Sequence, residues 1–497
     1  MRLIEAMRHK LRSFLKIENP QNNVITLNNL TDFETLSYIN MVWSWGDKEA
    51  IEQLYKQLQT ESKSQSFWSA NPEMGIIKKH TGLPGIMVNT LTDIVVADMN
   101  DIKVDKRALE WEDMIKTLDI EELISDAVKD TLIIGDGAFK VSIDTNISEY
   151  PMVEFVSGEN IEYTRVRGQI TEVIFKTPVN HNHKQYVLEE VYGNGYIRTC
   201  LYDCDNQVPI NTVPAYSNIL PEIKFSSQFM MAVPLMFFKS PRHKGRGKSI
   251  YSGKADNFDS LDEIWSEWMD ALRKGRTKEY IPENLLPRDV KTGETLKPND
   301  FDHAFIKMED SMKENDTSKI TIIQPNIPHE SYLSTYITAL DLCLQGVISP
   351  STLGIDTKKL DNAEAQREKE KTTLYTRNKI VSALQKAVPQ LIDVMFKTYD
   401  TMKKGSVSDI IVDFSFGEYA NPSFESQVET VSKAKSSAVM STEAAVEELY
   451  GDSKDEEWKL QEVSRIKAEQ GIISLEEPQI NTEIEDFEIK ESNVNSR

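Results

Sequence analysis

The chain has 497 residues, and 79 acidic against 57 basic side chains give it a formal net charge of −22. Proteins that hold nucleic acid tightly are usually basic, because lysine and arginine contact the phosphates, so this balance argues against a DNA clamp. It leaves open an acidic surface past which DNA slides, since like charges limit sticking. Three cysteines are too few for a disulfide scaffold and indicate a reducing compartment.

The N-terminal segment 1–17 is basic and amphipathic, with no continuous apolar stretch, so we expect no secretory signal. Two interpretations of it stay open. A basic amphipathic helix can lie on a membrane surface, or it can pack on its own protein or on a partner, and the second is simpler. No run of about eighteen apolar residues follows, so we expect no membrane span.

The first half of the chain combines helical and strand patterns. Gly135, Asp136 and Gly137 end the third helical pattern, and alternation then predicts a strand. Short β-rich runs between 150 and 240 predict an antiparallel sheet with one exposed face, and therefore one α+β domain. The remaining predicted features are helices at 32–58, 83–99 and 109–132, a hairpin turn at Asn194 and Gly195, and an edge strand at 233–238 that contains Pro234.

The segment 241–248 (PRHKGRGK) is the densest basic cluster. Gly247, Lys248 and Ser249 imitate the end of a Walker A loop, but Arg242 occupies the place of its first glycine, so we expect no ATP binding. The cluster is either a solvated basic turn, the simpler interpretation, or a contact with DNA or an acidic neighbour. Its basic side chains are Arg242, Lys244, Arg246 and Lys248.

An amphipathic helix is predicted at 256–274. Paired carboxylates on it can serve acid–base catalysis or hold a metal. No histidine lies among them, so a solvated acidic face is the simpler interpretation. A metal site at Cys200 and Cys204 would need further ligands. His181 and His183 are the nearest candidates, but the spacing is not a known zinc pattern, so we expect no metal and no cofactor. The carboxylates are Asp259, Asp262, Glu263, Glu267 and Asp270.

The stretch from 321 to 400 organises the second half. A helix is predicted at 329–346, then a loop broken by Pro350 and Gly354, then a helical run over 362–399 that would be more than about 50 Å long. Pro389 should kink this run or end it. The remaining predicted features are three short strands between 276 and 326, a strand at 410–416, helices after Pro422, and a flexible acidic tail after Gly471.

Three stretches, in this order, resemble the portal proteins of tailed bacteriophages, and most of all those of long-tailed phages that infect Gram-positive bacteria. They are LIIGDGAFKVSID at 132–144, GKSIYSGKADNFDSLDEIWSEWMDALRKGR at 247–276 and QGVISPSTLGIDTKKLDNAEAQREKEKTTLYTRNK at 345–379. The resemblance covers nearly the whole chain. It implies an α+β, portal-like subunit with an α/β wing, a two-helix stem, a small α/β clip insertion, a long kinked helix and a helical crown.

The resemblance also implies domain boundaries. They are 1–254 for the N-terminal part of the wing, 255–275 for the first stem helix, 276–326 for the clip, 327–347 for the second stem helix, 348–361 for the tunnel loop, 362–420 for the long helix and the return to the wing, 421–470 for the crown and 471–497 for the acidic tail.

The implied function is structural, with no catalytic site. Copies of the chain, usually about twelve, would form a ring at one capsid vertex, through which viral DNA is packaged and ejected. The implied partners are the other copies, double-stranded DNA, the large subunit of terminase, the major capsid and scaffolding proteins, and head-completion or neck adaptors, with no membrane. The implied location is the portal vertex of the virion, after assembly in the host cytoplasm.

The resemblance places two sets of contact residues. Lys358 and Lys359 would touch passing phosphates, although solvation or pairing with Asp356 and Asp361 is an equal alternative. The DNA-facing set is Ser349, Thr352, Asp356, Thr357, Lys358, Lys359 and Asp361, and the clip set that would meet the motor or adaptor is Arg288, Lys291, Glu294 and Lys297.

Two other functions remain as alternatives. The first alternative is a different minor structural protein of a virion, which predicts a monomer or filament rather than a ring. The second alternative, which fits the sequence less well, is a metal-dependent enzyme that acts on nucleic acid through the carboxylates at 256–270.

Overall fold

A computed structural model gives the architecture. It describes residues 32–62, 65–70, 75–145, 147–204, 206–225, 228–276, 278–282, 304–308, 321–323, 326–355, 363–403, 405, 407, 409–417, 424–437, 439–450 and 456–469. The fold mixes helices and sheets, as the sequence predicts. Contacts divide the chain into two compact units, 1–417 and 418–497.

Between residues 32 and 134, the described part of the first unit contains five helices, where the sequence predicts three. The 83–99 prediction is confirmed, but 32–58 breaks at Gly46, which adopts a left-handed φ of 68°. The prediction of a single helix over 109–132 is also wrong. The segment forms two helices, because Leu118 has an extended backbone and ends the first, and Asp119 precedes the second. The helices are α1 (Phe33–Trp45), α2 (Lys48–Ser62), α3 (Leu83–Ala97), α4 (Ala108–Thr117) and α5 (Ile120–Ile134).

The β-rich region folds as antiparallel sheets. Gly193 pairs with Tyr196 around the predicted hairpin turn, and Gly195 has a φ of 80°. Pro234 lies on an edge strand, as predicted. The strands are β1 (Lys103–Val104), β2 (Asp136–Ser142), β3 (Met152–Ser157), β4 (Ile161–Val166), β5 (Gln169–His181), β6 (Lys184–Gly193), β7 (Tyr196–Asp203), β8 (Asn206–Val208), β9 (Glu222–Lys224) and β10 (Ala232–Met236).

These strands form two main sheets. In the smaller sheet the order is β10-β2-β3, so β2 is central and β10 is an edge. The larger sheet has the order β4-β5-β6-β7-β8, and β9 pairs with β7. Strand β2 is almost wholly buried, which fits its place directly after the buried end of α5.

Two helices and three strands follow. Helices α6 (Ala255–Lys274) and α7 (His329–Leu344) confirm the predicted helices. Between them in sequence lie β11 (Lys278–Pro282), β12 (Ala304–Met308) and β13 (Thr321–Ile323), as the sequence predicts. Strand β11 is central, parallel to β12 and antiparallel to β13.

Helix α8 (Ala363–Met402) spans 40 residues and continues through Pro389, so the proline does not end it. Its second half supplies a buried stripe to the core shared with α5 and β2. Of the predicted strand at 410–416, only β14 (Val412–Asp413) forms, paired with β1. The fully buried members of the stripe include Ile380, Leu384, Val388, Ile392, Met395 and Phe396.

The second unit contains α9 (Phe424–Ser436), α10 (Thr442–Tyr450) and α11 (Glu456–Glu469). The Ser441 hydroxyl accepts a hydrogen bond from the Ala444 backbone N–H at 3.1 Å, so Ser441 is the N-cap of α10. Trp458 packs on Tyr450 with ring centroids 5.1 Å apart, and this contact joins α10 to α11.

Candidate functional site

Helices α6 and α7 form an antiparallel pair. At one end, Lys254 Nζ donates to the carbonyl of Gln345 at 2.9 Å, and Asn257 Nδ2 donates to that of Leu342 at 3.1 Å. At the other end, Gly275 lies against Ile327 so closely that any side chain there would collide with it. The start of α6 therefore meets the end of α7, and the β11–β13 insertion leaves from the opposite end of the pair.

Aromatic side chains hold the middle of the pair together. The Trp268 ring lies parallel to Tyr332, with centroids 6.2 Å apart and an angle of 8° between the planes. Trp265 packs on Tyr336 at 5.7 Å. Such pairs contribute about 0.5–1.5 kcal/mol each beyond the area they bury. Burial also raises the pKa of Tyr336. The two helices are thus a rigid unit.

The outer surfaces of this pair are acidic and polar. On α6, Glu263 and Glu267 are exposed one turn apart. Partial burial, and then the neighbouring Glu267, raise the pKa of Glu263. On α7 the exposed residues are mostly small and polar, but Leu333 and Leu342 are 46% and 49% exposed. Leu272 on α6 is 42% exposed. These surfaces therefore repel phosphates and carry three exposed apolar side chains.

The loop after α7 is fixed to the polar half of α8. The Ser349 backbone N–H donates to Thr373 Oγ1 at 2.9 Å, and the Thr352 hydroxyl lies 2.9 Å from the same oxygen. The Thr376 hydroxyl donates to the Val347 carbonyl at 2.7 Å. A 3₁₀ turn, Pro350–Leu353, follows Ser349. Hydrogen bonds therefore hold residues 347–355 against α8, and this segment forms the fixed base of the loop.

Two of the predicted DNA-facing residues, Ser349 and Thr352, lie in this base, and the others lie outside the described part of the chain. Ser349 is only 2% exposed, so it faces the long helix rather than solvent, and Thr352 is half-buried. Neither Thr373 nor Thr376 is a sequence-predicted site residue, although their spacing of three does place them on one helix face. The predicted residues outside the described part of the chain are Asp356, Thr357, Lys358, Lys359 and Asp361 in the loop, and Arg288, Lys291, Glu294 and Lys297 in the clip.

The basic cluster is a turn held by a buried ion pair. Arg246 donates to both Asp136 oxygens at 2.8 and 2.9 Å, and the Gly247 N–H donates to Asp136 at 2.6 Å. Asp136 is completely buried. A side chain at Gly247 would collide with the Gly135 carbonyl, so close packing accounts for the glycine at this position without a phosphate.

Arg246 is thus bound within its own chain, whereas the other three basic residues of the cluster are exposed: Arg242, Lys244 and Lys248.

The acidic side of α6 is only partly the solvated face that the sequence predicts. Asp262 is completely buried and accepts hydrogen bonds from Trp68 Nε1 at 3.1 Å, from the Thr81 N–H at 2.9 Å and from the Thr81 hydroxyl at 2.9 Å. It also lies 2.7 Å from His80 Nδ1. Asp259 accepts from the backbone N–H groups of residues 67 and 68. The prediction is therefore wrong for these two aspartates, whose partners lie nearly two hundred residues away.

Two features are absent from the described residues. Among them, no group of three or more His, Cys, Asp or Glu side chains is placed to hold a metal ion. No helix in this part of the chain is long and apolar enough to cross a membrane.

No family model matches the chain, and no curated protein matches it.

Proposed function

We propose that this chain is the portal subunit of a tailed bacteriophage. Copies of it, about twelve, form a closed ring at one vertex of the capsid and conduct DNA into the head and out of it. One observation carries the proposal. An antiparallel helix pair has a three-stranded insertion at one end and, at the other, an anchored turn that leads toward a 40-residue helix.

This arrangement supplies what a conduit needs. The aromatic contacts between α6 and α7 stiffen the pair, so a ring of such pairs makes a firm wall. The contacts of Thr373 and Thr376 fix the base of the loop, residues 347–355, against the long helix. In a chain of net charge −22, the wall repels phosphates, and within the loop Lys358 and Lys359 would attract them locally.

The partners follow from this role. The ring would receive DNA from the large subunit of terminase, which hydrolyses ATP, and would later bind head-completion or neck proteins, both through the 276–326 insertion. The other partners are the major capsid and scaffolding proteins. Assembly would take place in the host cytoplasm, and the finished location is the virion.

The enzyme alternative has less support from the geometry. Asp259 and Asp262 already accept several hydrogen bonds from protein donors. A metal ion would have to compete with those donors for the carboxylate oxygens. Isothermal calorimetry with Mg²⁺ or Mn²⁺ tests this alternative, and heat of binding that is lost in Asp259→Asn would revive it.

A double variant tests the DNA-facing loop. Lys358→Ala with Lys359→Ala removes the two cations, so we expect intact assembly but altered DNA packaging or retention in a complementation assay. Lys116→Ala with Lys129→Ala, which removes two exposed lysines from α4 and α5, is the matched control and should package normally. Loss of assembly in the first variant alone would make the loop a structural element and contradict the assignment.

A further inference from the structure

A groove of about 840 Å³ lies between α8 and the edge strand β10. Strand β10 and the residue after it contribute Pro234, Leu235 and Phe237 to the lining, and α8 contributes Ala383 and Ala387. Most of the lining is apolar. The function proposed above makes no use of this groove.

Four cations surround the apolar lining. Arg165 comes from β4, Lys239 follows β10, and Lys379 and Lys386 lie about two helical turns apart on α8. No Asp or Glu is among the described residues that line the groove. None of the four forms an ion pair with a carboxylate in the described part of the chain.

This concentration of unpaired positive charge contrasts with the rest of the chain. Acidic residues outnumber basic ones by 79 to 57, so a lysine usually has a carboxylate nearby. Lys140 pairs with Glu190 at 2.6 Å, and Lys397 pairs with Asp393 at 2.7 Å. A group of cations without such partners is available to negative charge from another molecule.

The basic turn at 241–248 is tied to the same groove. Arg165 donates to the Gly245 carbonyl at 2.8 Å and to the Gly168 carbonyl at 3.1 Å, which fixes the guanidinium at the rim. The backbone of Lys239 forms an isolated antiparallel β-bridge with that of Gly247. The basic turn therefore adjoins the groove at Arg165 and Lys239.

The strand beside the groove has an open edge. Among the described residues, β10 pairs with β2 on one side and with no strand on the other. An extended peptide can add to such an edge and place alternate side chains on opposite sides. Lys379 and Lys386 share one stripe of α8 with Ala383 and Ala387, so apolar side chains of such a peptide would contact the apolar lining and acidic ones the cations interspersed with it.

We propose that this groove binds an extended segment of a partner protein in which acidic and apolar side chains alternate. Double-stranded DNA fits the surface less well. Its phosphates would leave the apolar lining unused, and a chain of net charge −22 repels a long polyanion. A short acidic segment responds mainly to charges within the Debye length, about 8 Å at physiological salt, where these cations dominate.

Fluorescence anisotropy with synthetic probes tests the proposal. The probe is a labelled eight-residue peptide that alternates glutamate with valine, and the comparison probes alternate glutamate with serine or lysine with valine. A fourth probe is a twenty-base-pair DNA duplex. We expect binding of the glutamate–valine peptide, at least tenfold weaker binding of the glutamate–serine peptide, and none of the lysine–valine peptide.

Charge reversal locates the binding. Lys379→Glu with Lys386→Glu should weaken the glutamate–valine peptide about tenfold, because two attractive contacts become repulsive. Lys239→Glu is a second, independent variant and should weaken it in the same direction. Lys116→Glu with Lys129→Glu makes the same change in net charge away from the groove and should leave binding within about twofold.

Four results would overturn the proposal. The first is no binding of the glutamate–valine peptide, and the second is equal weakening by the groove variant and the control variant. The third is tighter binding of the DNA duplex than of the peptide, which would make the surface a nucleic-acid site. The fourth is a loss of self-association in the groove variant by sedimentation, which would make the groove a contact between copies of this chain.

Discussion

The Asp262→Ala substitution offers the most direct test of how α6 is attached to the rest of its unit. Asp262 lies inside the protein and binds donors from Trp68 and Thr81, with His80 Nδ1 at 2.7 Å. These partners lie in the segment just before α3. The substitution leaves the donors buried and without an acceptor.

The cost follows from the number of bonds and from their burial. A hydrogen bond to a charged acceptor contributes about 1.5–3 kcal/mol, and leaving the partners of a buried charge unpaired costs about 3–5 kcal/mol. The bonds share one carboxylate, so their energies do not add. We therefore expect Asp262→Ala to lower the free energy of unfolding by about 3–5 kcal/mol.

Urea unfolding, followed by tryptophan fluorescence and by far-UV circular dichroism, measures this loss. Trp68 donates directly to Asp262, so one of the seven tryptophans that contribute to the fluorescence lies at the site itself. Glu267→Ala, on the same helix but exposed, is the matched control and should change stability by less than about 0.5 kcal/mol. A loss of under about 1 kcal/mol for Asp262→Ala, or an equal loss for Glu267→Ala, would refute the reasoning.

Two further predictions concern the loop base and an acidic side chain on α5. Thr373→Val removes the acceptor of the Ser349 N–H, so hydrogen exchange over 347–355 should be about fivefold to tenfold faster, whereas Thr372→Val should leave it unchanged. If both variants exchange alike, the contact with Thr373 does not hold the base. Burial, with help from nearby acids, raises the pKa of Asp130 from 3.8 to about 6, so the folded protein binds this proton more tightly than the unfolded chain does. Stability therefore falls as pH rises from about 4 to 6, and Asp130→Asn should gain stability over the parent through that window in urea titrations at several pH values. A pH-independent difference between Asp130→Asn and the parent would contradict this prediction.

The sequence predicts most helices and strands because their signals are local. The apolar stripe of α8, the hairpin at Gly195 and the edge proline Pro234 each depend on residues close together in the chain. The same reasoning places a single helix over 32–58, because apolar spacing continues across Gly46. Gly46 was the available signal, since a left-handed residue commonly ends a helix.

Long-range partners explain what the sequence does not predict. Asp262 looks like part of a solvated face, and only the folded chain brings Trp68 and His80 to it. In the sequence, Arg246 belongs to an exposed basic cluster that could bind a partner, but in the folded chain it forms an ion pair with Asp136. The groove cations escape notice for the same reason, because Arg165 and Lys379 lie more than two hundred residues apart in sequence.

Electron microscopy of the purified protein tests the central claim most directly. Class averages of negatively stained particles should show closed rings, with rotational symmetry of about twelve and a central hole wide enough for a DNA duplex of about 20 Å. Co-expression with the scaffolding protein provides the second condition, for the case that the ring closes only with a scaffold. Monomers or open filaments under both conditions would contradict the proposal that this chain forms a portal.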